Sequence, residues 1–267
     1  MNSESIVDST RPSAGRIYDY LLGGHHNFEV DRQAAEQVVK LIPYLPKVMR
    51  LQRWCLQDLA VELTEKRGFD IIIDFASGLP TNDHLHHVVP KGTTVIYSDF
   101  DPVVVEYARE ILADTPDVYF FLADARRPEE LLNRAEVEAI LGGRRRVALV
   151  YWGISGFLTD EEISYAARSL YSWSDAGSCW AFNAQAGDTQ GNDSGTMAAR
   201  EIYARMGSSF YFRSLEKILR LLQPWHPDEN GPISLREWHG LDQREMSQQD
   251  LASSAPEGGG YGIYLVK

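Results

Sequence analysis

Phe69-Asp70-Ile71-Ile72-Ile73-Asp74-Phe75, running on into Ala76-Ser77-Gly78-Leu79-Pro80, is where the architecture of this chain is most legible. The first half is a nearly unbroken apolar run, the composition of a strand buried on both faces of a parallel sheet. The second half interrupts the run with small residues and a proline, so the chain turns there. Backbone N–H groups at Ala76, Ser77 and Gly78 then lie open to a close approach by a ligand.

Working outward, apolar runs alternate with amphipathic segments. A helix is expected over 82–89, closed by Pro90 and the Lys91-Gly92 turn, and a β-branched second strand over 93–98. Pro102 stands near the start of a helix over 103–112, and 118–122 reads as a third strand. One helix over 128–141 leads to a fourth strand at 147–151. A helix over 161–171, with Thr159 or Asp160 as cap, leads to a fifth at 178–184. The tract GDTQGNDSG at 187–195 reads as a loop between that strand and helices at 197–206 and 215–222, and Gly258-Gly259-Gly260 turns into a last strand at 261–266. Ahead of the sheet, helices are expected over 31–41 and 47–67. The stretch 11–28 is too rich in glycine and polar rings to be simply a buried helix.

Composition narrows the function. The chain has 267 residues, and its 26 Lys and Arg against 38 Asp and Glu leave a net charge of −12, which repels a phosphate backbone and argues against nucleic acid as a partner. The basic run Arg144-Arg145-Arg146 precedes an apolar stretch, as a solvated loop entering a strand does. Cys55 and Cys179 stand far apart in apolar settings, which suits reduced core thiols and a cytoplasmic protein. The opening MNSESIVDST lacks a signal peptide's basic and apolar regions, and no run approaches the ~20 apolar residues of a membrane span.

Three acids fall at the ends of the first three strands: Asp74, Asp99 and Asp124. Ligands of open α/β sheets bind at those carboxyl ends, where an acid after the second strand accepts hydrogen bonds from both hydroxyls of a ribose. Asp124 is placed to accept from an adenine amino group. A lone acid at a strand end is often only a helix cap, but three in succession point to an adenosine-bearing ligand.

On these residues the chain resembles the class I S-adenosylmethionine-dependent methyltransferases: DFASGLP at 74–80, YSDFDP at 97–102 and LADA at 122–125 look like their first three cofactor motifs. The segment RPSAGRIYDYLLGGHHN at 11–27, paired with Gly-Leu-Pro-Thr at 78–81, is similar to the signature of an actinobacterial-type methyltransferase family formerly counted as a domain of unknown function. The resemblance implies a Rossmann-like three-layer α/β/α sandwich, its sheet mostly parallel with an antiparallel carboxyl-terminal strand. It implies one domain over 1–267, with residues 1–67 a helical extension and lid and 68–267 the core. It further implies S-adenosyl-L-methionine as cofactor. Asp74, Ala76, Ser77, Gly78 and Pro80 would lie against the methionine part, Asp99 against the ribose, and Phe100 and Asp124 against the adenine, with Ala125 and Tyr151 also contributing to the cofactor site. Tyr18, Gly23 and Asn27 would close over the site from the amino-terminal segment.

Two departures stand out. Ala76 occupies the place of the loop's usual first glycine and adds a Cβ near the ligand. Tyr151-Trp152 puts two large rings where relatives are more aliphatic. His25 or His26, and less so Tyr18 or Asp19, are candidate general bases because a near-neutral imidazole suits proton removal from an acceptor. His84 and His87 would share a helix face, but no Cys or Glu cluster accompanies them, so no metal site is expected. The leading expectation is a methyltransferase acting on O, N or C of a small molecule. A cofactor-binding sensor without turnover and a nicotinamide-dependent oxidoreductase are the alternatives, the latter weakened by the absence of a full G-x-G-x-x-G.

Overall fold

Ile71, Ile72 and Ile73 are wholly excluded from solvent, and the strand they open, β1 (Ile71–Phe75), lies at the centre of the sheet. The computed structural model describes residues 10–81, 83–186, 194–240 and 260–267. β1 pairs in parallel with β2 (Thr94–Asp99) on one side and β4 (Ala148–Tyr151) on the other. β3 (Val118–Leu122) pairs in parallel with β2, and β5 (Cys179–Ala184) with β4. β8 (Tyr261–Val266) runs antiparallel beside β5, and the short β6 (His226–Pro227) and β7 (Ile233–Ser234) pair with it in turn. Among the described residues the sheet has eight strands, in the order β3-β2-β1-β4-β5-β8-β6, with β7 also on β8. The chain winds first to one side of β1 and then to the other, so a crevice opens between the carboxyl ends of β1 and β4.

Strand alternation assigns the faces. Ile71, Ile73 and Phe75 pack in one core with α6 (Ala135–Leu141), α7 (Asp160–Trp173) and α9 (Leu215–Leu221). Ile72 packs in the other, against α3 (Leu45–Val61) and α4 (Pro102–Ile111). By the same alternation Asp74 belongs to the α3 side. Sequence signals fix several ends: Asp101 Oδ1 accepts the Val103 N–H at 2.9 Å with Pro102 beginning α4, and Thr159 and Glu162 form a reciprocal capping box on α7.

The extension is helical, with α1 (Ala14–Leu21), α2 (Glu29–Leu41) and α3. The 11–28 stretch is a helix only over α1, where Ile17 is completely buried, and the glycines and histidines follow it in a turn, as their composition led one to expect. α2 also packs on α8 (Ser194–Arg205), with Val38 against Ala199 and Ile202.

Two helix expectations fail. Over the described residues of that stretch, 83–89, there is only a single 3₁₀ turn, Leu85–His87, because side chains take the N–H groups a helix would use. His84 accepts from the Leu85 N–H at 3.0 Å, and the Tyr97 hydroxyl accepts from the His86 N–H at 3.0 Å. The expected helix at 128–141 is two pieces, α5 (Glu129–Leu132) and α6, broken at Asn133-Arg134. β6, β7 and α10 (Leu235–Trp238) carried no sequence signal strong enough to expect. Of the expected 187–195 loop, 187–193 lie outside the described residues, as do Gly258 and Gly259, and Ser194-Gly195 begin α8.

Candidate active site

A cavity of about 400 Å³ opens at the carboxyl ends of β1, β2 and β3, roofed by α1, α2, α3 and α8. Asp74, Ala76, Ser77, Gly78, Asp99, Phe100, Asp124 and Ala125 all reach its wall, so the three strand-end motifs converge as expected.

The β1 loop is held by β2. Ser77 N–H donates to the Ser98 carbonyl at 2.9 Å and Gly78 N–H to Asp99 Oδ2 at 3.1 Å. These two donors therefore serve the protein rather than a ligand, and because no α-helix follows the loop, no helix dipole points into it. Ala76 sits at φ +53° and Gly78 at φ +66°. Ala76 thus reproduces the left-handed turn of a glycine at a cost of about 1–2 kcal/mol.

Asp99 ends β2 only 6% exposed, with Oδ1 accepting the Asp101 N–H at 2.9 Å besides the Gly78 bond on Oδ2. Burial pushes its carboxyl up to about 6 despite those bonds, and each oxygen keeps a lone pair for a further donor. Phe100 is 59% exposed beside it, an apolar face for a flat ring. Burial pushes the Asp124 carboxyl up, but the hydrogen bonds and charge of Arg126, with Nε at 2.8 Å from Oδ2, outweigh it and hold Asp124 below the ordinary range. Asp124 thus meets a ligand already paired. Asp74 differs: it is 1% exposed, its Oδ2 has no hydrogen-bond partner, and burial holds its carboxyl well above the ordinary range.

Beneath the loop, His84 Nε2 donates to the Ser77 carbonyl at 3.1 Å, while its Nδ1 meets the Tyr97 hydroxyl at 3.0 Å. Burial drives the His84 pKa well below 6.5, so the ring stays neutral and serves as a brace. No α-helix carries His84 and His87 on one face.

The amino-terminal candidates divide. Tyr18 lines the cavity, its hydroxyl donating to the Met49 carbonyl at 3.3 Å, and burial raises its pKa, which leaves it a neutral phenol rather than a base. Gly23, His25, His26 and Asn27 are not on the cavity wall among the described residues, and neither are Pro80 and Tyr151. The turn is wound around Asp19, whose carboxylate accepts the His26 N–H and the Asn27 side chain, each at 2.9 Å. A Cβ on Gly24 would meet Asp19 Oδ1 at 2.0 Å. Asp19 thus organises Gly24, His26 and Asn27 of the Gly-Gly-His-His-Asn stretch. Tyr151 is fully buried with its hydroxyl on the Ala125 carbonyl at 2.6 Å, bracing the wall from behind.

One residue escaped the sequence reading. Arg53 of α3 reaches the wall at 3% exposure, detectable in hindsight because Met49, Arg53, Leu56 and Ala60 fall on one helix face. The far end of the cavity is aromatic, with Phe157 5.0 Å from Phe210 and 5.6 Å from Tyr203, and Phe210 5.0 Å from Phe212 between ring centroids.

A family model described as S-adenosyl methyltransferase matches residues 1–261. Among solved structures, that of a candidate methyltransferase from Thermobifida fusca is 26% identical with a TM-score of 0.84, over 97% of this chain and 96% of that one. A protein of the DUF574 family from Streptomyces avermitilis is 24% identical with a TM-score of 0.83, over 97% and 99%. The magnesium protoporphyrin IX methyltransferase of Synechocystis with bound S-adenosylmethionine shares the fold at 14% identity and a TM-score of 0.53, over the whole of both chains. No curated protein matches the sequence. No helix among the described residues is long and apolar enough to cross a membrane.

Proposed function

The chain belongs to the S-adenosyl methyltransferase family, an S-adenosylmethionine-dependent enzyme with the Rossmann-like fold of that class, and from this premise we propose that it methylates O, N or C of a small, largely apolar acceptor. The observation that carries the reading is the division of the cavity: acids and one exposed ring at the strand ends, aromatic and aliphatic side chains beyond them.

The strand-end residues fit the cofactor. Asp99 keeps acceptor capacity for the two ribose hydroxyls, Phe100 offers its exposed face to the adenine, and Asp124 with Ala125 borders the same pocket. The orphaned Oδ2 of Asp74 suits the α-ammonium of the methionine part. When bound, the cofactor supplies an electrophilic sulfonium methyl. The protein's share is to hold the acceptor in line and keep water away, for which the apolar wall around Phe157, Phe210 and Phe212 is suited. His25 and His26 lie off the cavity wall, and the His26 backbone N–H is held by Asp19, so positioning is the better account of the rate.

Residues 1–67 serve as the lid of a single domain, with 68–267 as its core. This is supported by Arg16 bonding Asp101 at 2.8 Å and by the packing of α2 on α8. The nicotinamide alternative falls away because the β1 loop leads into no helix N-terminus for a pyrophosphate.

The test is turnover. Incubation with S-adenosylmethionine and a panel of apolar phenols, amines and activated carbons should release S-adenosylhomocysteine with some of them. Equal rates with strongly charged polyols and with apolar acceptors would contradict the acceptor class.

A further inference from the structure

Arg53 is an unusual cation. Its side chain is 3% exposed, yet Nε and Nη1 have no hydrogen-bond partner, and the nearest carboxylate oxygen on Nε, Asp83 Oδ1, lies 3.8 Å away. The guanidinium stands over the Tyr18 ring, 5.2 Å from its centre, and lines the cavity. A buried guanidinium with unused donors is costly unless an anion completes it. On the same side of the sheet, Asp74 is buried with Oδ2 unpartnered, and the charge of Arg53 partly offsets the burial that raises its carboxyl.

We propose that Arg53 is the receptor for the α-carboxylate of the cofactor's methionine part, working with Asp74 as a paired seat for an amino-acid zwitterion. The inference rests on the methyltransferase reading. A planar guanidinium fork donates charge-assisted hydrogen bonds to carboxylate oxygens, and Arg53 keeps two donors, Nε and Nη1, without a hydrogen-bond partner. α3 carries Arg53 to the face that β1 alternation gives Asp74, so the two opposite charges meet a ligand from one wall. Arg53 Nε and Nη1 and Asp74 Oδ2 have no hydrogen-bond partner within the protein, which is the expected state of a site completed by its ligand.

The test compares two probes that differ in the amino-acid portion. S-adenosylhomocysteine carries the zwitterion, whereas 5′-methylthioadenosine keeps the nucleoside and thioether without it. In the wild-type chain S-adenosylhomocysteine should bind more tightly. Arg53→Gln should weaken S-adenosylhomocysteine roughly 10- to 100-fold and leave 5′-methylthioadenosine nearly unchanged. Arg53→Lys, which keeps the charge and loses the fork, should fall between and guards against a variant that does not fold. Equal losses for both probes in both variants, or no loss for S-adenosylhomocysteine, would overturn the assignment. Failure of the wild-type chain to bind either probe would instead overturn the methyltransferase reading.

Discussion

Arg16 Nη1 donates to Asp101 Oδ2 at 2.8 Å, joining the amino-terminal signature helix to the residue that caps α4 two positions beyond Asp99. Arg16 Nε also bonds Asp31 Oδ2 at 2.8 Å, and Asp31 in turn accepts the N–H groups of Ser13 and Phe28, each at 2.8 Å. One buried cation thus links α1, the start of α2 and the ribose-side loop. Removing one member of a buried ion network leaves the others uncompensated. Arg16→Ala should lower stability by about 3–5 kcal/mol in denaturant unfolding. A loss below about 1 kcal/mol would show that the latch is dispensable.

Ala76 stores strain that a glycine would not. Ala76→Gly, at φ +53°, should raise stability by about 1 kcal/mol, and Ala76→Val should lower it by at least as much, measured by thermal or denaturant unfolding. A destabilised glycine variant would mean that the Ala76 methyl contributes packing that outweighs its backbone cost.

Cofactor affinity should follow the Asp99 carboxyl, which burial pushes up to about 6. The ionised form accepts from both ribose hydroxyls, whereas the protonated form gives up one acceptor, so binding tightens as pH rises and levels off above about 6. At pH 5 affinity should be about tenfold weaker than at pH 8. Asp74, raised in the same sense by burial, adds to the effect. Asp99→Asn should bind weakly with a flatter profile, as read by titration calorimetry across pH.

Phe210 lies between Phe157 and Phe212 at the far end of the cavity. Phe210→Ala should lower kcat/KM for a found acceptor roughly tenfold or more while leaving the cofactor KM unchanged. A change in cofactor KM alone would place this ring on the wrong side of the cavity.

Much of this was legible because the strands carry local signals. The isoleucine run at 71–73 and the β-branched stretch of β2 announce buried parallel strands, and the acids at their ends need only topology to converge. The helix expected at 82–89 failed in part because one competitor is distant: the Tyr97 hydroxyl that takes the His86 N–H comes from β2. His25 and His26 read as chemistry because the sequence does not show that both lie off the cavity wall, the His26 backbone N–H being held by Asp19. Arg53 was overlooked because a charge on a helix is ordinarily solvated, whereas in the fold its Nε and Nη1 are buried without a hydrogen-bond partner.

The most direct measurement of the central claim is a calorimetric titration of S-adenosylhomocysteine into the wild-type chain and into Asp99→Ala. The arrangement of Asp99, Phe100 and Asp74 predicts one binding site per chain and a loss of about tenfold or more in affinity for Asp99→Ala. No heat of binding at millimolar ligand, or equal affinity in the two proteins, would contradict it.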